Sequence, residues 1–149
     1  MAGSSSATLD PGDERLAAAL GVVREAGLRR TPRRAAVLKV LIEAGEHLSI
    51  AEITERLSGD GADADFSTTW RTVLTLADIG LVHALHTDAA PVYGAADHPH
   101  FHAVCRRCGG VTELPAADLA SAIRQIEQVS GFSMGAGALL ATGTCPACS

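Results

Sequence analysis

The chain has 149 residues, 47% of them hydrophobic and 19% charged, and its formal net charge is −5. This composition excludes disorder throughout, and the length suits one domain or two small ones. No apolar run reaches the ~20 residues of a membrane span, and the start lacks the pattern of a signal peptide, so we expect a cytoplasmic protein with no membrane partner.

The first half of the chain has the spacing of apolar residues that is typical of helices. Residues 1–13 are small, polar and acidic, and we expect them to form a flexible tail. Thr31 is the predicted N-cap of the second helix, with Pro32 at its first position and Gly45 at its end.

Two more helices are predicted before residue 81. Ser49 and Glu52 have the spacing of a capping box, which marks the start of the third helix. Ser67 or Thr68 is the expected cap of the fourth helix, and Gly80 ends it.

Short apolar segments at residues 81–86 and 92–93 flank a turn and predict a β-hairpin. Several helices followed by a hairpin is the element order of a winged helix, a relative of the helix-turn-helix. In that arrangement the helix at about residues 68–79 would enter the major groove of DNA.

The second half is predicted to hold three strands, at residues 98–104, 111–114 and 132–142. One helix is predicted between the second and third of these strands, at residues 115–129. The expected fold class is therefore α+β. An N-terminal winged helix-turn-helix domain would cover residues 14–94, and a small C-terminal α/β domain would cover residues 95–149.

The basic residues are unevenly distributed. Residues 15–39 hold seven of the twelve Lys and Arg side chains and a single acid, Glu25. On an otherwise acidic chain this asymmetry indicates a local patch for a polyanion such as nucleic acid, with a solvated helix face as the alternative.

Four cysteines form two Cys-x-x-Cys pairs, and this spacing lets both thiolates of a pair point into one tetrahedral metal site. The two pairs supply the four sulfurs of a closed structural zinc site with no open position for a catalytic water, so we do not expect an enzyme. A redox pair is the alternative, although no helix follows the second pair to stabilise a thiolate. The four residues are Cys105, Cys108, Cys145 and Cys148.

Three histidines alternate at positions 98, 100 and 102, and alternate residues of a strand share one face. Imidazole binds zinc, iron, nickel and copper, so the alternation predicts a second metal site, with surface histidines on a polar strand as the alternative. A metal ion between two domains would set the angle between them, which is a mechanism for a switch.

The order and spacing of these motifs resemble those of the ferric uptake regulator superfamily, over residues 28–148. The motifs that carry the resemblance lie at residues 27–34, 46–52, 67–74, 100–109 and 143–148. The resemblance implies a homodimeric, metal-dependent repressor that binds double-stranded operator DNA and has no small-molecule substrate. It also implies that the C-terminal domain mediates dimerisation and that the four cysteines hold structural Zn²⁺.

The same resemblance implies the residues that contact DNA. Arg71 matches a contact to guanine or phosphate, and Trp70 stands where the family usually has tyrosine. Thr68 and Thr69 would lie at the start of the DNA-reading helix and contact phosphates. The residues expected to hold the DNA backbone are Arg29, Arg30, Arg33 and Arg34.

The implied regulatory metal site consists of His83, His100, His102 and Glu113, with His47 and His98 in reserve. The acid, histidine or cysteine that the family has after the second hairpin strand is missing, because Gly94, Ala95 and Ala96 stand there. A further family site lacks its histidine, which is replaced by Gly137.

A histidine-rich donor set with at most one carboxylate suits zinc or nickel better than iron or manganese. The match of His83 to a ligand position of zinc sensors favours zinc as the regulatory ion. We therefore expect zinc-responsive control of metal uptake genes. Nickel-, iron- or peroxide-responsive regulation are the alternatives within the family, and a thiol redox or metal-storage module is the alternative from another class.

Overall fold

The structure, a computed structural model, describes residues 10–59, 61, 63–87, 89–134 and 139–149. None of the helices in this part of the chain has both the length and the hydropathy needed to cross a membrane. The helices are α1 (Pro11–Glu25), α2 (Pro32–Ala44), α3 (Ile50–Gly59), α4 (Phe66–Asp78) and α5 (Ala120–Ser130), with a 3₁₀ turn (Ala116–Leu119) directly before α5. The strands are β1 (Val82–Leu85), β2 (Val92–Ala95), β3 (His100–Cys105), β4 (Val111–Pro115) and β5 (Leu140–Gly143).

Helix α2 begins and ends as the sequence predicts. The Thr31 hydroxyl accepts a 3.2 Å hydrogen bond from the Arg34 N–H, and Pro32 is the first residue of the helix. Gly45 ends α2 in the left-handed conformation, with φ 60°, which glycine adopts without a steric penalty.

The predicted capping box at α3 is confirmed. The Glu52 carboxylate accepts a 2.7 Å hydrogen bond from the Ser49 N–H, and the Ser49 hydroxyl accepts one of 3.2 Å from the Glu52 N–H. These reciprocal bonds satisfy two backbone donors that a helix start otherwise leaves unpaired.

Helix α4 begins earlier than predicted. Its N-cap is Asp65, whose carboxylate accepts a 2.8 Å hydrogen bond from the Thr68 N–H, and the helix begins at Phe66. Ser67 and Thr68 lie inside the first turn, so the prediction that one of them is the cap is wrong. Asp65 prevails because its negative charge also interacts favourably with the positive end of the helix dipole.

Strands β1 and β2 form the predicted antiparallel hairpin, in which His83 lies opposite Gly94. A further bridge joins Leu48 to Tyr93 through two backbone hydrogen bonds, of 2.9 and 2.8 Å. This bridge attaches the segment before α3 to the hairpin, and the four helices and the hairpin together have the winged-helix arrangement.

The main hydrophobic core lies between α1–α4 and the hairpin. Burial of each large apolar side chain stabilises such a core by roughly 1.5–3 kcal/mol, so the core holds α4 and the hairpin in fixed positions. Its fully buried side chains include Val23, Val37, Leu38, Leu41, Ile53, Val73 and Leu76.

The C-terminal strands form a second sheet in the order β4-β3-β5. Strands β3 and β4 are antiparallel, whereas β5 pairs with β3 in parallel and places Gly143 opposite Cys105. This parallel pairing returns the end of the chain to β3, and the predicted α+β fold class is confirmed. The predicted last strand at residues 132–142 is shorter and later in the structure, and its residues 135–138 lie outside the described part.

Two predicted boundaries differ from the structure or stay untested. Helix α1 begins at Pro11, so residues 11–13 of the expected tail are helical, and residues 1–9 lie outside the described residues. The predicted domain boundary between residues 94 and 95 falls within β2 and stays a prediction.

Candidate functional site

Four histidine rings converge where the hairpin meets the second sheet. His47 lies between α2 and α3, and His83 lies in β1. His100 and His102 lie on one face of β3 and are buried. The Nε2 atom of His83 is 2.6 Å from that of His47. It is 3.1 Å from the Nε2 atom of His102 and 3.3 Å from that of His100.

Hydrogen bonds alone do not satisfy this arrangement. A neutral imidazole Nε2 donates one hydrogen or accepts through one lone pair, yet the Nε2 atom of His83 faces three others. Around a tetrahedral zinc ion, with Zn–N bonds of about 2.0–2.1 Å, neighbouring nitrogens lie about 3.3 Å apart. The separations from His83 to His102 and His100 are close to this value, and the separation from His83 to His47 is shorter. The four-histidine group, which is His47, His83, His100 and His102, therefore fits a divalent metal ion.

The outer ring nitrogen of one of these histidines, His100, agrees with a ligand role. The Nδ1 atom of His100 lies 2.9 Å from the carbonyl oxygen of His98, which places its proton on Nδ1 and leaves the Nε2 lone pair for a metal. The Nδ1 atom of His102 is buried and has no hydrogen-bond partner among the described residues. A metal bond at Nε2 of this ring would place its proton on Nδ1, and this donor would still lack an acceptor among the described residues.

Burial favours the uncharged form of three of these imidazoles, those of His47, His83 and His102. Desolvation lowers the pKa of His83 from 6.5 to about 3 and that of His102 to about 4, and the proximity of His47 adds to both shifts. Burial also lowers the pKa of His47. Neutral imidazole is the form that binds metal ions, so burial favours the binding form of His47, His83 and His102.

Glu113 does not belong to the four-histidine group. Its Oε2 atom lies 3.3 Å from Nε2 of His98, and its Oε1 atom lies 3.6 Å from Nε2 of His100. These three residues form a second group of metal-binding type, which shares His100 with the first. The structure thus brings together three of the four residues implied for the regulatory site, and His47 takes the fourth place.

At the end of β2, where the family has a further metal ligand, this chain has no side chain that could bind a metal ion. Gly94 and Ala95 lie in β2, and Ala96 follows it. Gly137, where another family histidine is missing, lies outside the described residues.

An ion pair that the sequence analysis missed adjoins the second group. Arg15 in α1 binds the Asp97 carboxylate through two nitrogens, and its Nη2 lies 2.9 Å from Oδ1. The same Oδ1 lies 3.1 Å from Nδ1 of His98. The hydrogen bonds from Arg15 lower the pKa of Asp97 to about 2. Eighty-two residues separate the partners, so no local pattern indicates the pair.

The predicted clustering of the four cysteines is confirmed, with all four sulfur atoms within 4.8 Å of one another. The N–H groups of Cys145 and Arg107 each lie 3.4 Å from Sγ of Cys105, and such bonds lower the pKa of Cys105 to about 6. The surrounding thiols, Cys145 above all, raise the pKa of Cys148 to about 12. Four sulfur atoms this close together form the donor set of a tetrahedral zinc site, and a bound cation favours their thiolate form, so the group fits a structural metal ion.

The arginine cluster before and within α2 divides into two pairs. Arg29 and Arg30 are exposed. Arg33 donates a 2.8 Å hydrogen bond to the carbonyl oxygen of Asp63, and Arg34 donates to that of Arg29. The first pair is therefore free to meet a polyanion, whereas the second pair also holds the local backbone.

Helix α4 exposes Trp70, at 47%, and Arg71 next to it. Thr68 is half-buried. Thr69 is fully buried, and its hydroxyl donates a 2.8 Å hydrogen bond to the Asp65 carbonyl oxygen. The phosphate contact predicted for Thr69 is therefore wrong, because a side chain inside the core does not reach DNA.

Comparisons with known proteins identify the family of the chain. The profile of the ferric uptake regulator family matches residues 25–140. A peroxide-responsive repressor PerR from Staphylococcus aureus is 27% identical over 137 residues, which are 91% of this chain and 93% of that protein.

Two solved structures share the fold. The ferric uptake regulator of Helicobacter pylori, with three functional metal-binding sites, has a TM-score of 0.74 and 21% identity over 94% of this chain and 95% of that chain. A zinc uptake regulator complexed with zinc and DNA has a TM-score of 0.65 and 24% identity over 94% of this chain and 96% of that chain. The chain therefore belongs to the ferric uptake regulator family, whose members are metal-responsive DNA-binding regulators rather than enzymes.

Proposed function

We propose that this chain is a homodimeric, zinc-responsive repressor that binds operator DNA when the four-histidine group holds Zn²⁺, and that it controls metal uptake genes. The observation that carries the proposal is the convergence of four Nε2 atoms from the winged helix and the second sheet. A set of neutral imidazoles suits zinc, whereas manganese and magnesium favour carboxylates and water. A relative of the same fold was solved in complex with zinc and DNA, which supports this choice.

The four-histidine group connects the two halves of the chain. His47 and His83 belong to the winged helix, and His100 and His102 belong to the second sheet. When bound, zinc would supply the bonds that keep these rings together. The rings then restrain the orientation of the winged helix relative to the sheet, and in a dimer this orientation sets the separation of the two α4 helices.

Helix α4 is the proposed DNA-reading element. Trp70 and Arg71 are exposed on it, and an arginine binds guanine or phosphate while an indole packs against thymine methyl groups. Arg29 and Arg30 would contact the DNA backbone.

A second copy of the chain is the proposed occupant of the apolar surface around α5. No residue of α5 is buried. Val129 is 90% exposed and Phe132, which follows the helix, is 71% exposed. Adjacent exposed apolar side chains of this kind mark protein interfaces.

His83→Ala, with His86→Ala as the matched control, tests the proposed function. His83 is central to the four-histidine group, whereas His86 is exposed three residues later and outside that group. The probe is a labelled duplex selected by the zinc-loaded wild type from genomic fragments of the source organism, and binding is followed by fluorescence anisotropy. We expect the zinc-dependent affinity of His83→Ala for the duplex to fall at least about tenfold, which is the lower end of the losses seen when a metal site is damaged. The variant should remain a dimer. Wild-type affinity in His83→Ala with zinc would overturn the proposal.

A peroxide-responsive regulator is the second candidate. The group of His98, His100 and Glu113 includes a carboxylate, which suits iron or manganese better than four imidazoles do. The chain also aligns with the peroxide-responsive repressor over most of its length. If peroxide abolishes DNA binding of the iron-loaded protein at a concentration that leaves the zinc-loaded protein unaffected, this second candidate is favoured.

A further inference from the structure

The second cysteine pair, Cys145 and Cys148, follows a short strand that is exposed along its whole length. Strand β5 has four residues, and its pairing with β3 ends where Gly143 lies opposite Cys105. The Gly143 carbonyl oxygen accepts a last hydrogen bond, of 2.8 Å, from the Arg106 N–H. The sheet therefore does not by itself fix the second pair against the first pair, which is Cys105 and Cys108.

Two hydrogen bonds join residues 144–149 to the rest of the described chain. In one, the Cys145 N–H lies 3.4 Å from Sγ of Cys105, a sulfur atom of the four-cysteine group itself. In the other, Nη1 of Arg107 donates a 2.7 Å hydrogen bond to the carbonyl oxygen of Cys148. Arg107 is thus the side chain that attaches the second pair without using a sulfur atom.

Arg107 lies between the cysteines of the first pair and contacts one cysteine of each pair. Its N–H lies 3.4 Å from Sγ of Cys105, and its guanidinium group reaches Cys148. A hydrogen bond from a charged donor is stronger than one between neutral groups. The Cys148 N–H in turn donates a 2.9 Å hydrogen bond to the Cys145 carbonyl oxygen, so restraint of Cys148 extends to both cysteines of the second pair.

We propose that Arg107 is a positioning residue of the four-cysteine group, which holds the second pair against the first pair and thereby slows release of the metal ion. This inference requires a metal ion in the four-cysteine group and does not depend on the four-histidine group. Partners that orient a metal ligand typically change metal affinity by about 10- to 100-fold. The same bond secures β5 beside β3, the strand that carries His100 and His102.

Arg106 supplies a control that is matched in charge. It precedes Arg107 and is also exposed. Its contact with the end of β5 is made by its backbone N–H, which a substitution of the side chain leaves in place. Arg106→Gln therefore removes one positive charge from the same segment, as Arg107→Gln does, but keeps the hydrogen bond to Cys148. Arg107→Lys keeps the charge and a donor but loses the planar fork of the guanidinium group.

The test uses the full chain loaded with Zn²⁺ and freed of its reversible ion by mild chelation. Transfer of the remaining Zn²⁺ to an excess of a strong chromophoric chelator gives the rate of release. Alkylation with iodoacetamide, stopped at intervals and mapped by mass spectrometry, gives the rate at which each cysteine reacts. Circular dichroism verifies that each variant is folded.

We expect release of Zn²⁺ to be at least about tenfold faster in Arg107→Gln than in the wild type, and less accelerated in Arg107→Lys. Arg106→Gln should release Zn²⁺ at the wild-type rate. In Arg107→Gln the alkylation of Cys145 and Cys148 should accelerate more than that of Cys105 and Cys108. A general loss of stability would instead accelerate all four cysteines by the same factor.

Three results would overturn the inference and leave the four-histidine proposal intact. They are a wild-type rate of release in Arg107→Gln, an equal acceleration by Arg106→Gln, and an equal acceleration of alkylation at all four cysteines. A wild-type chain that retains no ion after mild chelation would also overturn it, because the four-cysteine group would then hold no resistant metal ion. The proposed function would still be decided separately by DNA binding of His83→Ala.

Discussion

Arg15 and Asp97 form a two-point ion pair that joins α1 to the segment between the two sheets. Asp97 also contacts His98, whose other ring nitrogen faces Glu113. A continuous set of polar contacts therefore extends from the first helix of the winged-helix half to the second sheet. This connection joins the two halves through contacts that do not involve His47, His83 or His102.

Breaking the pair should lower the free energy of unfolding. A double-mutant cycle of Arg15→Gln and Asp97→Asn is expected to give a coupling energy of about 1 kcal/mol, because the contact is bidentate and the Asp97 side chain is only 13% exposed. The exposed pair of Lys39 and Glu43, 3.7 Å apart, is the control and should give about 0.3–0.5 kcal/mol. Urea denaturation measures both, and a coupling for Arg15 and Asp97 no larger than the control would contradict this account.

Ser49→Ala should lower the free energy of unfolding by about 1 kcal/mol at neutral pH, because it removes half of the capping box. Hydrogen bonds from Ser49 lower the pKa of Glu52 below its ordinary 4.5. The carboxylate therefore stabilises the fold above pH 4.5, and this contribution is lost as the pH falls through the lowered pKa of the folded state.

The stability difference between wild type and Ser49→Ala should accordingly shrink below pH 4.5, as measured by urea denaturation. Ser58→Ala is the control on the same helix, since the Ser58 hydroxyl donates to a backbone carbonyl rather than to an acid. A difference for Ser49→Ala that stays constant with pH would argue against the carboxylate as its source.

Arg30→Gln should weaken DNA binding, because it removes one positively charged contact to a DNA phosphate. The slope of log affinity against log salt concentration is expected to decrease in magnitude by about one unit. Arg124→Gln on α5, an equally exposed arginine in the other half, should leave the slope unchanged. Anisotropy titrations at several salt concentrations measure both slopes, and equal slopes for wild type and Arg30→Gln would exclude the contact.

Phe132→Glu should weaken the proposed dimer, because it places a charge in the apolar surface beside α5. We expect the dimer dissociation constant to rise at least about tenfold, which corresponds to about 1.4 kcal/mol. Val22→Glu on α1, at a side chain that is 37% exposed, is the control and should leave the dimer intact. Sedimentation analysis measures both, and an unchanged dimer in Phe132→Glu would rule out this surface as the interface.

Local patterns were sufficient for most of the fold. Caps such as Thr31 and Ser49 act within three residues of their own helix, so their sequence spacing identifies them. The start of α4 was harder to predict because Asp65, Ser67 and Thr68 all have side chains that cap helices, and only the folded backbone selects among them. The burial of Thr69 likewise depends on which face of α4 meets the core.

The composition of the four-histidine group depends on distant contacts. The sequence indicates His100 and His102 by their alternation, but it does not show that His47 lies within 2.6 Å of His83, thirty-six residues away. From the sequence alone, the glycine at position 94 indicates only that a metal ligand of the family is absent there. In the structure the ring of His47 lies against this glycine, and a Cβ atom at position 94 would be 2.6 Å from its Nε2 atom.

The four-histidine metal site is best tested by native mass spectrometry of the full chain, which counts bound metal ions before and after mild chelation. We expect two ions per chain for the wild type and for His86→Ala. One ion resists chelation and is lost in Cys108→Ser, and the other is removed by the chelator and is absent in His102→Ala. A wild-type chain that carries one resistant ion and takes up no second ion from added Zn²⁺ would contradict the four-histidine metal site.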